Sequence, residues 1–247
     1  MNDCGLRTAD YGLFGGTLLL ALAVGCAGVP KNPAPHAPPP AAVSESVVRS
    51  PQSAVFSGPQ SAAVSYLVFV ASEGNDRISL IRFTTVCPDS PTGCARVERE
   101  HRVGMNPTEL LGPHGIAVAP DGSSYYVTTA HGTPNGALWK FTTAKDSFLG
   151  RFQLGAFPAT VTISPDGGYV YVVNFNLYCD PVTSSVSVVY GDQMVEVTRI
   201  PTCVMPHGSR LNAQGTKHYS VCMMNDMLIE IDTRQFGVAR HFMVTRG

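Results

Sequence analysis

From residue 66 onward, apolar and polar positions alternate in short bursts with a period of two. "GIAVA" (115–119), "TVTIS" (160–164) and "SVSVVY" (185–190) show it most clearly. Such alternation marks strands with one buried face. Between these bursts lie runs such as "YYVTT" (125–129) and "YVYVVN" (169–174), rich in the β-branched and aromatic residues that suit a pleated surface. The first two kinds of burst are joined by Pro-Asp-Gly, at 120–122 and 165–167. There glycine supplies the positive φ of a tight turn.

The bursts recur in register. Segments beginning at Pro113, Pro158 and Pro206 align, with spacings of 45 (113 to 158) and 48 (158 to 206) residues. The shared turn is Pro120-Asp121-Gly122, Pro165-Asp166-Gly167 and Ala213-Gln214-Gly215. A partial copy, "YLVFVASEGNDRISLIRF" (66–83), precedes them and lacks the first strand and the Asp-Gly turn. Each full unit reads as four strands. The third is "ALWKF", "SVSVVY" or "LIEID", and the fourth is a weaker outer strand such as "EVTRI". Four antiparallel strands per 40–50 residues predict an all-β fold of β-propeller blades. The expected blades are about 66–112, 113–157, 158–205 and 206–247.

"SPDGGYVYVVNFN…SSVSVVY" (164–176, 184–190) and "VFVASEGNDRISLIRF" (68–83) resemble the YVTN-type propeller repeat. Its hallmark is Pro-Asp-Gly, then Tyr-Val-Tyr-Val-x-Asn, then Val-Ser-Val-Ile-Asp. The resemblance covers about residues 66–247. It implies relatives among lactonase-like proteins, quinoprotein-type subunits and the haem-d1 domain of cytochrome cd1 nitrite reductase. That family usually closes its ring with seven blades. Four units, the first incomplete, therefore suggest part of a longer protein truncated at its C-terminus, or a part-ring completed by another chain, since open sheet edges are avoided.

The N-terminal part has a different composition. Leu13–Gly25 is apolar and uncharged, about as long as a signal-peptide core and too short for a confident membrane span. It ends in "LAVGCAG", which resembles a bacterial lipobox with Cys26 as the lipidated first residue of the mature chain, although Ala23 stands where the best lipoboxes have Leu. An ordinary secretory signal is the alternative. The expected layout is a signal peptide over 1–25, a tether over 26–65 and repeats over 66–247. Eight of the 19 prolines fall between Pro30 and Pro59, so the tether is extended or disordered. This points to export to the periplasm or cell surface, with contact to the membrane only through a lipid at Cys26. A net charge of −1, with no Lys/Arg run longer than two, argues against a nucleic-acid partner.

Candidate chemistry follows from the repeat. The first strand of a blade lines the channel, and its start sits at one mouth. His114 and His207 occupy equivalent positions there, with Ala159 between them in the repeat. Two histidines can converge on a metal, since imidazole suits Cu, Zn or Fe, or on a haem or quinone. Alternatively, Pro-His-Gly belongs to the turn between blades. Arg210 is a candidate for an anionic ligand at the same mouth. Cys203, Met205, Cys222, Met223 and Met224 form a soft-donor group that suits copper, or else fill gaps in packing. Met223 aligns, within one residue, with Asn174. In an oxidising compartment the cysteines suggest disulfides. Cys87 with Cys94 is the first choice, across "PDSPTG", and Cys179 with Cys203 a second. Cys4 is lost with the signal. Glu73 and Asp76 ("SEGNDR", 72–77), like Asp121 and Asp166, read as turn residues.

No nucleophile elbow, Walker loop, His-Glu-x-x-His or haem-attachment motif occurs in the sequence. The expectation is a non-catalytic binding module that takes a protein partner or small ligand at the channel. The alternative is a lactonase-like hydrolase, or a redox subunit associated with a metal, haem or quinone.

Overall fold

The structure is a computed structural model that describes residues 63–89, 94–104, 106, 108–131, 135–177 and 180–244. The expected signal peptide, Cys26, most of the tether, and Cys179 lie outside the described residues.

The described chain forms four antiparallel sheets in succession. The first holds β1 (Ser65–Ser72), β2 (Arg77–Thr84) and β3 (Cys94–His101). The second holds β4 (Pro113–Val118), β5 (Ser124–Thr129), β6 (Ala137–Thr142) and β7 (Phe148–Gln153). The third holds β8 (Pro158–Ile163), β9 (Tyr169–Asn174), β10 (Thr183–Tyr190) and β11 (Val195–Val204). The fourth holds β12 (Pro206–Leu211), β13 (Lys217–Cys222), β14 (Met227–Asp232) and β15 (Gly237–Met243). Strands pair only with their sequence neighbours, so each sheet is a meander and one blade.

The innermost strands β4, β8 and β12 pack side by side. β1 meets β4 as β5 meets β8 and β9 meets β12. It therefore holds a second-strand position, and the first blade has three described strands.

The Asp-Gly turns work as their sequence requires. Gly122, Gly167 and Gly215 have φ of 72°, 78° and 69°, values that L side chains rarely adopt. Asp121 Oδ1 accepts from the Ser123 amide at 3.0 Å, and Asp166 Oδ1 from the Gly168 amide at 3.0 Å. The fourth blade has no such aspartate. Asn212 does the same work, accepting from the amides of Thr216 (2.8 Å) and Lys217 (3.1 Å).

The core lies in the seams between blades, because alternate residues of a strand face opposite neighbours. Tyr125, Val127, Trp139 and Phe141 of blade 2 pack with Ile78 of blade 1. Tyr126 and Leu138, on the other face of blade 2, meet Val161, Val170, Val172 and Val189 of blade 3. Tyr171, Val173, Val186 and Val188 meet Ile229 and Ile231 of blade 4. Each such side chain contributes about 1.5–3 kcal/mol on burial.

Candidate functional site at the blade starts

The loop that follows β1 begins with a single 3-10 turn, Glu73–Asn75. It is pinned by Asp76, whose Oδ1 accepts from the amides of Leu111 and Gly112, both at 2.9 Å. Those residues lead directly into β4. The loop of blade 1 is thus fastened to the start of blade 2, and Glu73 is carried to His114.

Glu73 is the hub. Its Oε2 lies 2.6 Å from His114 Nδ1 and its Oε1 lies 2.7 Å from His131 Nε2. His114 opens β4, and His131 follows β5 of the same blade. His207 of β12 stands edge-on to His114, with ring centres 5.7 Å apart. Phe175, after β9, packs edge-on against His207 at 4.6 Å, and Phe157, before β8, against His114 at 5.3 Å. One carboxylate, three imidazoles and two phenyl rings from all four blades therefore meet at one end of the inner strands. The side chains of Glu73, His114 and His131 are each between a quarter and just over a third exposed.

The protonation states follow from these contacts. Burial pushes the Glu73 carboxyl upward, but hydrogen bonds from His114 and His131, then their charges, outweigh it and hold it below its usual value. Burial lowers His207, and the adjacent His114 lowers it further, so its ring is neutral near pH 7. The ionised Glu73 carboxylate accepts, so the nitrogen of His114 that faces it, Nδ1, is the donor of that contact. The group can accept hydrogen bonds, hold a cationic or hydroxyl-bearing ligand, or serve as a base. Among the described residues, no three His, Cys, Asp or Glu donors stand in metal-binding geometry. Both Glu73 oxygens are already taken by imidazoles.

The other candidates fall elsewhere. Arg210 lies three residues beyond His207 on β12, is exposed, and donates to the Ser209 carbonyl at 2.8 Å. None of the contacts that tie the cluster together involves it. The soft-donor set is taken apart by a disulfide: Cys203 is bonded to Cys222. Neither sulfur is then a thiolate, the species that binds copper. Met205 packs beside Phe157 and Phe175, whereas Met223 and Met224 are exposed in the turn after β13. In the strand register Cys222, not Met223, matches Asn174, since Pro206 pairs with Cys222 as Pro158 pairs with Asn174.

The disulfide also corrects the expected pairing of Cys203 with Cys179. Cys203 and Cys222 both enter the packed seam between blades 3 and 4, so their partnership follows from which strands face each other across it. Cys87 and Cys94 are both free thiols, not a bridge. They are nonetheless in hydrogen-bond contact, which, with burial next, raises the Cys94 thiol.

The sequence alone reads Glu73 as a turn residue and does not single out His131, Phe157 or Phe175. The signal for three of them was present. Glu73, His131 and Phe175 all follow a second strand by one or two residues, and in blades 2 and 3 that strand ends beside the start of the first.

No protein-family model matches the chain, and no curated protein matches it. Solved structures do. Hydrazine synthase of Kuenenia stuttgartiensis aligns at 18% identity and a TM-score of 0.52, over 70% of this chain and 47% of that one. Candidate 6-phosphogluconolactonases align similarly. The one from Bacteroides fragilis gives 13% identity and a TM-score of 0.53 over 73% and 54% of the two chains. The one from Bacteroides uniformis gives 16% and 0.51 over 73% and 56%. The chain thus spans about half the length of these structures. At such identities the likeness concerns the fold alone. Together with the four meander sheets, it makes this chain an all-β protein of β-propeller architecture with about four blades.

Proposed function

We propose that the protein is an extracytoplasmic, lipid-anchored propeller module that binds a small polar ligand, or a polar segment of a partner protein, at the mouth formed by the blade starts. The observation that carries this reading is the Glu73 carboxylate bound to His114 at 2.6 Å and His131 at 2.7 Å, with His207 edge-on beside them. Structural turns do not need two imidazoles bonded to one partly exposed carboxylate and a third, from another blade, packed beside them. The chemistry selects a ligand with hydroxyl or amine donors and an apolar edge for Phe157 and Phe175. Export is supported by the apolar Leu13–Gly25 segment, the lipobox-like Cys26 and the disulfide between Cys203 and Cys222. Among the described residues no helix is long and apolar enough to cross a membrane.

A second reading is a lactonase-like hydrolase. A carboxylate-held imidazole is a competent general base, and two structural neighbours are named as candidate 6-phosphogluconolactonases. The cluster as described holds no Lys or Arg to receive a phosphate, so an unphosphorylated lactone fits better.

The test uses the full-length protein. A thermal-shift panel of polyols, amines and lactones is expected to yield a stabilising compound whose effect is lost in Glu73→Gln and in His207→Ala. Stabilisation that survives both variants removes the site from this location. Hydrolysis of glucono-lactone, followed by pH-stat and lost in His114→Ala, transfers the assignment to the hydrolase.

A further inference from the structure

The seams between blades are built from equivalent positions, so each serves as a control for the others. The face of blade 2 turned to blade 1 carries Ile116, Tyr125 and Val127, and the matching face of blade 3 carries Val161, Val170 and Val172. In blade 4 the same register positions hold Ser209, His218 and Ser220. Ser209 pairs with Ser220 as Val161 pairs with Val172, and Leu211 pairs with His218 as Ile163 pairs with Val170. Three apolar side chains have become polar in one seam and in neither of the others.

The opposing wall is altered as well. Thr162 of blade 3 pairs with Tyr171, whose ring stacks on His218 at 5.1 Å. Thr162 therefore faces blade 4, at a position where blade 2 has Ala117, paired with Tyr126. His218 and Ser220 are fully buried, and Ser209 and Thr162 are nine-tenths or more buried. Thr162 Oγ1, Ser209 Oγ, Ser220 Oγ and both ring nitrogens of His218 have no hydrogen-bond partner among the described residues.

Leaving one buried hydroxyl or ring nitrogen unpaired costs about 1–3 kcal/mol. Five of them would consume most of the 5–15 kcal/mol that keeps a domain folded. Replacing Ile or Val by Ser also removes methyl groups from the seam, which makes room. A water is stable where space coincides with two to four polar partners. We infer that the seam between blades 3 and 4 encloses an internal water-binding site lined by Thr162, Ser209, Ser220 and His218. Its ligand is neutral because every lining group is. Burial pushes the His218 imidazole down to about 4, so the ring carries no charge near neutral pH. At about three hydrogen bonds per buried water, five atoms call for about two molecules. The site is separate from the cluster around Glu73, and the inference does not rest on the function proposed for that cluster.

The experiment is a crystal structure of the full-length protein at a resolution that places ordered water, together with water-to-protein cross-relaxation in solution. The expected result is enclosed density within hydrogen-bond distance of Ser209, Ser220 and His218, and long-lived cross-peaks from water to the His218 ring. The double variant Ser209→Val and Ser220→Val, which restores the side chains found at 161 and 172, is expected to abolish both. A wild-type seam without density, its hydroxyls turned to main-chain carbonyls, overturns the inference. So does an organic molecule retained there, seen as excess mass in native mass spectrometry. Should the double variant not fold, the wild-type cross-peaks decide the matter alone.

Discussion

One side chain, His218, contributes strongly to the response of the protein to acid. His218 is fully buried, and burial lowers its pKa to about 4, against about 6.5 in an unfolded chain. Between those values the unfolded state binds a proton that the folded state refuses. Stability therefore falls as pH drops from about 6.5 to about 4, by up to about 3 kcal/mol from this residue. His101 and His207, also lowered chiefly by burial, act in the same direction. The Glu73 carboxyl is likewise held low, but its contribution is present above its unfolded value near 4.5 and is lost only below that. The two windows are thus distinct. Urea unfolding at a series of pH values is expected to show the decline in the wild type and a shallower slope in His218→Phe. Parallel slopes would mean that the His218 ring is charged in the folded state, or solvated well enough to be.

At the scale of strands, the seam that has lost apolar side chains is also the one closed by a disulfide. Cys203 lies on β11 of blade 3 and Cys222 ends β13 of blade 4, 19 residues apart. Closing a loop of that length is worth about 3 kcal/mol through the unfolded chain. The variant Cys203→Ser with Cys222→Ser is expected to lose about that amount in guanidinium unfolding, with the strand signal in circular dichroism retained. An unchanged midpoint would show that the bridge is dispensable to the seam. The strands themselves were legible in the sequence, because a period of two and an Asp-Gly turn are local signals. The disulfide and the Glu73 contacts were not. Each joins residues of different blades, and a repeat reveals which positions are equivalent without revealing which side chains meet across a seam. His114 and His207 show the boundary. Repeat register assigns both to the start of an inner strand, but the carboxylate that holds His114 comes from a loop that reads, locally, as an ordinary turn. Asn212 is the reverse case, a turn residue hidden because the fourth blade moved the role of Asp121 and Asp166 to a different position.

For the molecule as a whole, the inner strands must come close together at the blade starts, and this explains one half of the repeated Pro-His-Gly. A Cβ on Gly115 would lie 2.1 Å from the Ala159 carbonyl oxygen of β8, a backbone atom that cannot swing aside. The same spot is bridged by Thr128, whose Oγ1 accepts from the Gly115 amide and donates to the Ala159 carbonyl, both at 2.8 Å. Gly208, in the second Pro-His-Gly, meets nothing nearer than Val221 Cγ2 at 3.3 Å, which can move. The two glycines therefore differ in what they permit, although the motif is the same. Gly115→Ala is expected to force β4 from β8 and cost about 1–3 kcal/mol, the usual range for overpacking. Gly208→Ala is expected to change stability by less than about 0.5 kcal/mol, as a substitution clear of such constraints does. Thermal unfolding of the two variants side by side checks this. Because His114 precedes Gly115, the first variant should also shift the histidine resonances of the mouth while the second leaves those of His114 and His131 in place. Equal losses in both variants would mean that the inner strands stand further apart than the Gly115 contact requires, and the meeting of Glu73, His114, His131 and His207 depends on that spacing.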